Sequence, residues 1–144
     1  MGIADFLSKR KDEKAKKNLE GGIDFLEANK NKPNIVCLDS GLQYEVLQEG
    51  EGAHPTAQSS VTCHYIGTTI NGTVFDSSIL RGQPATFPLN RVISGWTEGV
   101  QLMSPGSKFR FYIPSHLAYG DRQVGSHIEP NSTLIFEIEL ISFQ

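Results

Sequence analysis

The chain has 144 residues, 38% of them hydrophobic, with a net charge of −3 and a pI near 5.8. That length suits one domain with its own core plus an appendage, and the charge balance gives nucleic acid no electrostatic footing as a partner. No run is apolar enough to span a membrane, and residues 1–6 lack the basic start and long apolar stretch of a secretory leader, so Cys37 and Cys63 are expected as reduced thiols in a cytoplasmic protein.

Residues 3–30 contain no proline and are rich in Lys, Glu, Ala and Asn. Residues 9–17 form a dense charge block, six cationic side chains against two acidic, which reads as a solvated helical face. Leu19, Ile23 and Leu26 then recur at i, i+4, i+7 with Phe25 beside them. This spacing predicts a helix with a short apolar stripe, weakened at Gly21-Gly22 and ended by residues 29–33. The domain boundary falls there: residues 1–33 are a charged helix and linker, and residues 34–144 are the folded domain. The stripe is expected to dock on the domain near Leu42, because residues 33–40 are a short tether. So short a stripe offers little interface to a second chain, so a monomer is expected.

Beyond Pro33 the periodicity changes from helical to period 2. Leu42, Tyr44 and Val46 alternate with Gln43 and Glu45, and Val61, Cys63 and Tyr65 alternate with Thr62 and His64. Asn71-Gly72 between two β-prone runs predicts a hairpin that pairs the strand ending near Thr68 with the one carrying Phe75. Residues 84–89 read as a short edge strand bounded by prolines. A short helix follows, in which Trp96, Val100 and Met103 share one face. The only tryptophan of the chain stands in its first turn beside Ile93, so the indole can form the floor of a cavity instead of filling a core. Ser104-Pro105-Gly106-Ser107 is a type II turn. Phe109, Phe111 and Ile113 form one strand face, and Leu134, Phe136, Ile138 and Leu140 another, with Glu137 and Glu139 turned to solvent. Between these strands lies a long segment, residues 114–132, of a length that is usually functional when ordered. The outline is an α+β domain: antiparallel sheet, one short helix on it, and a long loop overhanging both.

His54, His64, His116 and His127 show no metal-ligand spacing. There is no phosphate-binding loop and no nucleophile elbow, and Gly50-Glu51-Gly52 reads as a turn. Neither a metal nor a cofactor is expected.

Six separated motifs, in order, resemble the FKBP-type peptidyl-prolyl cis-trans isomerases. They are Ser40-Gly41-Leu42-Gln43-Tyr44, Val61-Thr62-Cys63-His64-Tyr65-Ile66-Gly67, Asn71-Gly72-Thr73-Val74-Phe75-Asp76-Ser77-Ser78, residues 92–100, Leu117-Ala118-Tyr119-Gly120, and Pro130-Asn131-Ser132-Thr133-Leu134-Ile135-Phe136. The resemblance covers residues 41–143. It implies an antiparallel sheet half-wrapped around one short helix, preceded here by the amino-terminal helix, with an apolar pocket between sheet and helix. The family's catalytic positions fall on Tyr65, Phe75, Asp76, Trp96, Tyr119 and Phe136, and its substrate-contacting positions on Val92, Ile93, Ile128 and Phe87. An ungapped alignment puts Ala85 where small members carry a pocket phenylalanine, with Phe87 two residues along the same strand face. Val124 and His127 differ in residue type from the flap tip of small members. Trp96 would underlie a bound proline ring, and the Ile93 N–H and Tyr119 hydroxyl would hold substrate carbonyls. Asp76 is expected to pair with Arg81 and accept from the Tyr65 hydroxyl rather than act as a general acid.

Implied partners are proline-containing polypeptides and the macrolides tacrolimus and rapamycin. An inert adaptor with the same fold is disfavoured because the pocket aromatics are kept, and a dedicated chaperone because no inserted flap domain is present. The basic helix resembles the connecting helix of bacterial macrophage-infectivity-potentiator-like members, and the dimer region that precedes it in them is not expected here.

Overall fold

Seven short runs with β-prone side chains build one antiparallel sheet: β1 (Val36–Cys37), β2 (Gln43–Gln48), β3 (Ser60–Thr69), β4 (Val74–Ser77), β5 (Ala85–Pro88), β6 (Lys108–Ile113) and β7 (Leu134–Phe143). The computed structural model describes residues 2–144, the side chain of Phe6 excepted, and gives the order β1-β2-β6-β7-β3-β4, with β5 also paired to β3. The hairpin expected at Asn71-Gly72 closes with Gly72 at φ 89°, in the left-handed region that glycine tolerates, and joins β3 to β4. Residues 104–107 turn with the Ser107 N–H donating to Ser104 O at 3.0 Å and Gly106 at φ 87°.

The alternation of β3, β6 and β7 sends Val61, Cys63, Phe111, Ile113, Leu134, Ile138 and Leu140 to one fully buried face. Against it lies α3 (Ser94–Val100). The approach is close because Gly95 and Gly99 present no side chain to the strand: a Cβ on either would meet Ile113 or the Phe111 ring at 2.6 and 2.5 Å. These two glycines set how deep Trp96, between them, sits in the sheet. Between β4 and β5 a single helical turn, α2 (Ser78–Arg81), is capped by Ser77, whose hydroxyl accepts from the Leu80 N–H at 3.1 Å.

The amino-terminal helix α1 (Ile3–Asn29) runs without interruption through Gly21-Gly22, contrary to the weak point expected there. Its docking face also differs from the expected stripe. Leu19 and Ile23 are 41% and 51% exposed, whereas Gly22 and Asn29 are buried and Ala15, Asn18, Phe25 and Leu26 are half-buried. Phe25 and Leu26 of the expected stripe do face the domain, but the rest of the packed face is small and polar, which hydropathy does not register. It holds by close approach and hydrogen bonds instead. Gly22 lies against Thr133, Phe25 packs on Tyr112 at 6.1 Å, and the Asn29 carboxamide donates to Gln43 Oε1 at 2.8 Å. Gln43 Nε2 in turn donates to Leu26 O at 3.0 Å. Gln43, read from its alternation as a polar-face residue, is therefore buried under α1. Docking reaches the sheet next to Leu42, as expected, and also a region not foreseen: Asn18 Nδ2 donates to Pro130 O at 3.0 Å, Asn131 Nδ2 to Ala15 O at 3.1 Å, and Lys14 pairs with Glu129.

Candidate active site

Tyr65 occupies the point on β3 where the sheet edge divides. β5 pairs with residues 60–63 and β4 with residues 66–68, which leaves residues 64 and 65 without a strand neighbour on that side. The fully buried Ser78 side chain fills the gap. Its hydroxyl accepts from the Tyr65 N–H at 2.7 Å and lies 2.9 Å from His64 Nδ1. An unsatisfied buried N–H there would cost about 1–3 kcal/mol. One serine thus completes the ladder and fixes the backbone that carries the tyrosine ring.

Around this point a cavity of about 610 Å³ opens, walled largely by rings. Trp96 stands roughly perpendicular to three of them: Tyr65 at 5.3 Å, Phe136 at 5.4 Å and Phe87 at 5.6 Å between centroids. Phe75 meets Phe136 edge-on at 5.4 Å. Such edge-to-face contacts follow the ring quadrupole and resist sliding. The arrangement requires Gly67, where any Cβ would run into the Phe75 and Phe136 rings at 2.6 and 2.7 Å.

All ten residues singled out in the sequence line this one cavity: Tyr65, Phe75, Asp76, Phe87, Val92, Ile93, Trp96, Tyr119, Ile128 and Phe136. Phe87 does so despite its offset from the alignment, because it stands on the inward face of β5 against Tyr65 and Trp96. Val92 and Ile93 enter from the connection before α3. That connection is held by the Thr97 hydroxyl, which donates to Leu89 O at 2.7 Å, and by the Trp96 N–H, which donates to Ile93 O at 2.9 Å.

Arg91 and residues 124–127 also line the cavity and were not among the site residues expected. Arg91 adjoins the Val92-Ile93 motif, and chain adjacency was the one signal available for it. Residues 124–127 belong to the tip of the overhanging segment. That tip is a small hairpin: the Val124 N–H donates to Ile128 O at 2.8 Å, and Gly125 turns at φ 62°. The hairpin brings Ile128 inward. Its stem is tied by the Asn131 N–H donating to Gly120 O at 2.7 Å and the Gly120 N–H donating to Ser115 O at 2.8 Å.

The hydrogen-bonded charged cluster of the site lies at one edge. The Tyr65 hydroxyl donates to Asp76 Oδ2 at 2.7 Å and accepts from Arg81 Nη2 at 2.9 Å, while Arg81 pairs directly with Asp76. Partial burial pushes the Asp76 carboxyl up, but the bonds from Tyr65 and Arg81 outweigh it and hold the group below the usual carboxylate range. Asp76 is therefore ionised at neutral pH and unsuited to act as an acid. Burial raises the Tyr119 phenol, and the Asp76 charge adds to the rise, so its hydroxyl stays a neutral donor. Among the described residues neither the Tyr119 hydroxyl nor the Ile93 N–H has a hydrogen-bond partner. Burial pushes the Cys63 thiol up to about 12, which makes it an inert core group. No three His, Cys, Asp or Glu residues among those described are grouped to hold a metal ion.

Two family models match the chain. One is the FKBP-type peptidyl-prolyl cis-trans isomerase, over residues 51–141, and the other the domain amino terminal to it, over residues 3–46. Among curated proteins, the outer membrane protein MIP of Legionella longbeachae is 52% identical over 141 residues, 96% of this chain and 60% of that protein. The FKBP-type 22 kDa peptidyl-prolyl cis-trans isomerase of Escherichia coli is 51% identical over 120 residues, 83% of this chain and 58% of that one. Among solved structures, FkpA from Escherichia coli superposes with a TM-score of 0.91 at 36% identity, covering 95% of this chain and 64% of that one. The chain thus spans about half to three-fifths of the curated relatives it matches.

Proposed function

The chain belongs to the FKBP-type peptidyl-prolyl cis-trans isomerases, and from that premise we propose that it accelerates rotation about X–Pro bonds in polypeptides and so assists their folding. The observation that carries this reading is the cavity built on Trp96, apolar on its walls and bearing two uncommitted donors, the Ile93 N–H and the Tyr119 hydroxyl.

Rotation about the C–N bond is slow because amide resonance gives it partial double-bond character, a barrier of roughly 18–20 kcal/mol. The planar amide is the charge-separated form that water stabilises. A proline ring seated on Trp96 between Tyr65, Phe87 and Phe136 has its solvent replaced by hydrocarbon, so the twisted, less polarised amide is relatively favoured. The donors of Ile93 and Tyr119 hold the flanking carbonyls while the bond turns. No covalent step is needed. Asp76 and Arg81 act through Tyr65: they fix its ring by its hydroxyl, which makes them positioning residues.

In the same reading the aromatic cavity binds tacrolimus and rapamycin, and the protein is a cytoplasmic monomer. The packed face of α1 is taken up by the chain's own domain, which supports the monomer, and the unpaired Cys37 and Cys63 support a reducing compartment. Sedimentation at micromolar concentration tests the assembly, with a dimer overturning it. A protease-coupled assay on a proline tetrapeptide tests the activity. Acceleration in proportion to protein and blocked by rapamycin is expected; no acceleration by a folded protein overturns the reading.

A further inference from the structure

The proline cavity does not end at the flap tip. Ser126 and His127 line it, and the same two residues line a second cavity of about 440 Å³ between α1, the β3–β4 turn and the flap stem. Both volumes fall in the range of ligand-binding clefts. Their walls differ in kind. The first is aromatic, whereas the second presents the Asn18 carboxamide oxygen on α1, the Asn71 carboxamide, and the hydroxyls of Thr69 at the end of β3 and Thr73 on the turn. The stem adds the Ser132 hydroxyl oxygen, whose hydrogen goes to Glu129 O, and the Asn18 Nδ2 is taken up by Pro130 O. Of the charged side chains on it, Glu129 is taken up by Lys14, and Lys17 stands at the exposed rim on α1. At Gly21 the helix side of the cleft is open, since a Cβ there would meet nothing within 4 Å.

Resting on the isomerase reading, we propose that this second cavity is an extended subsite that holds the main chain of a polypeptide substrate several residues away from its proline. A peptide backbone offers one donor and one acceptor per residue and needs neutral partners of both kinds, which hydroxyls and carboxamides supply. Ser126 and His127 belong to both cavities, so a chain leaving the proline ring over them enters the cleft directly. On this assignment α1 is one wall of the substrate site, and the protein selects long flexible chains over short ones.

The test uses the full chain and its single tryptophan as reporter. A proline tetrapeptide is titrated against Trp96 fluorescence beside versions lengthened by about six uncharged polar residues on either flank, a reach of ~20 Å. Binding about tenfold tighter is expected for the extension on one flank, and Gly21→Phe, which fills the cleft from α1, should bring the long-to-short ratio of Kd to about one. Phenylalanine is no worse a helix former than glycine, so the helix persists. Ile23→Phe, on the exposed side of α1, should keep the ratio. Equal affinity for all three peptides overturns the subsite, as does a gain that survives Gly21→Phe or is lost in Ile23→Phe. The isomerase reading fails by a different sign, absence of tetrapeptide turnover.

Discussion

Replacing Trp96 with leucine separates a packing role from a proline-binding role. The indole is 4% exposed and meets three rings edge-to-face. Each such pair is worth about 0.5–1.5 kcal/mol beyond the area it buries, so the three together carry roughly 1.5–4.5 kcal/mol. Leucine restores part of the apolar volume, and truncation of a large aromatic to alanine sets a ceiling of about 3–5 kcal/mol. A loss of ~2–3 kcal/mol is expected. Against a total of about 5–15 kcal/mol the variant stays folded. With a urea slope of about 1–3 kcal/mol per molar, its midpoint in far-UV circular dichroism falls by roughly 0.7–3 M. Loss of the platform under the proline ring, taken at ~2 kcal/mol, lowers kcat/KM on the tetrapeptide about 30-fold. An unchanged midpoint would refute the three-ring packing. A lowered midpoint with unchanged kcat/KM would reduce Trp96 to a core residue and remove the platform from the mechanism.

Tyr119→Phe removes a hydroxyl with no internal partner, so stability should hold while peptide affinity drops by about 0.5–1.5 kcal/mol, read by fluorescence titration. The Asp76 carboxyl has its folded pKa below its unfolded one, so its contribution is complete above the ordinary carboxylate pKa of about 4 and is lost as pH falls through the lowered folded value. Peptide affinity should therefore be flat from neutral pH down through the ordinary carboxylate range and weaken only below it, whereas Asp76→Asn should be weaker throughout and lack that acid limb. A chain starting at Asn34 should turn over tetrapeptides with a lower urea midpoint than the full chain, since Gln43 and Tyr112 lose their cover. Loss of tetrapeptide turnover in that chain while it remains folded would place α1 in the chemistry.

The sheet was legible wherever one face is buried. β3 and most of β7 carry a period of two because every second side chain enters the core, and β6 departs from it only at Tyr112, which is buried on the other face where Phe25 of α1 packs. The face of α1 was legible only in part, at Phe25 and Leu26: Asn18, Gly22 and Asn29 pack by hydrogen bonds and contact distance, which hydropathy does not register, while Leu19 and Ile23 lie toward solvent. The site aromatics were visible through motif order, and they gather round one cavity. The inward placement of the flap-tip residues 124–127 was not visible, because a hairpin closed by one backbone pair leaves no side-chain pattern, and Arg91 was marked only by its place next to Val92 and Ile93.

The sheet also ends in very short strands. β1 has two residues and β4 and β5 four each, while the long β3 and β7 are paired on both sides over most of their length, with Ser78 covering the gap on β3 at residues 64 and 65. Residues 45–48 of β2 are open on one side, as are residues 141–143 at the end of β7, and a bulge interrupts the β2 register between Val46 and Gln48. Long flat edges recruit any extended backbone they meet, and a protein proposed to handle unfolded chains meets such backbones at every turnover. With so little ladder to offer, this fold can release its clients instead of seeding aggregates with them.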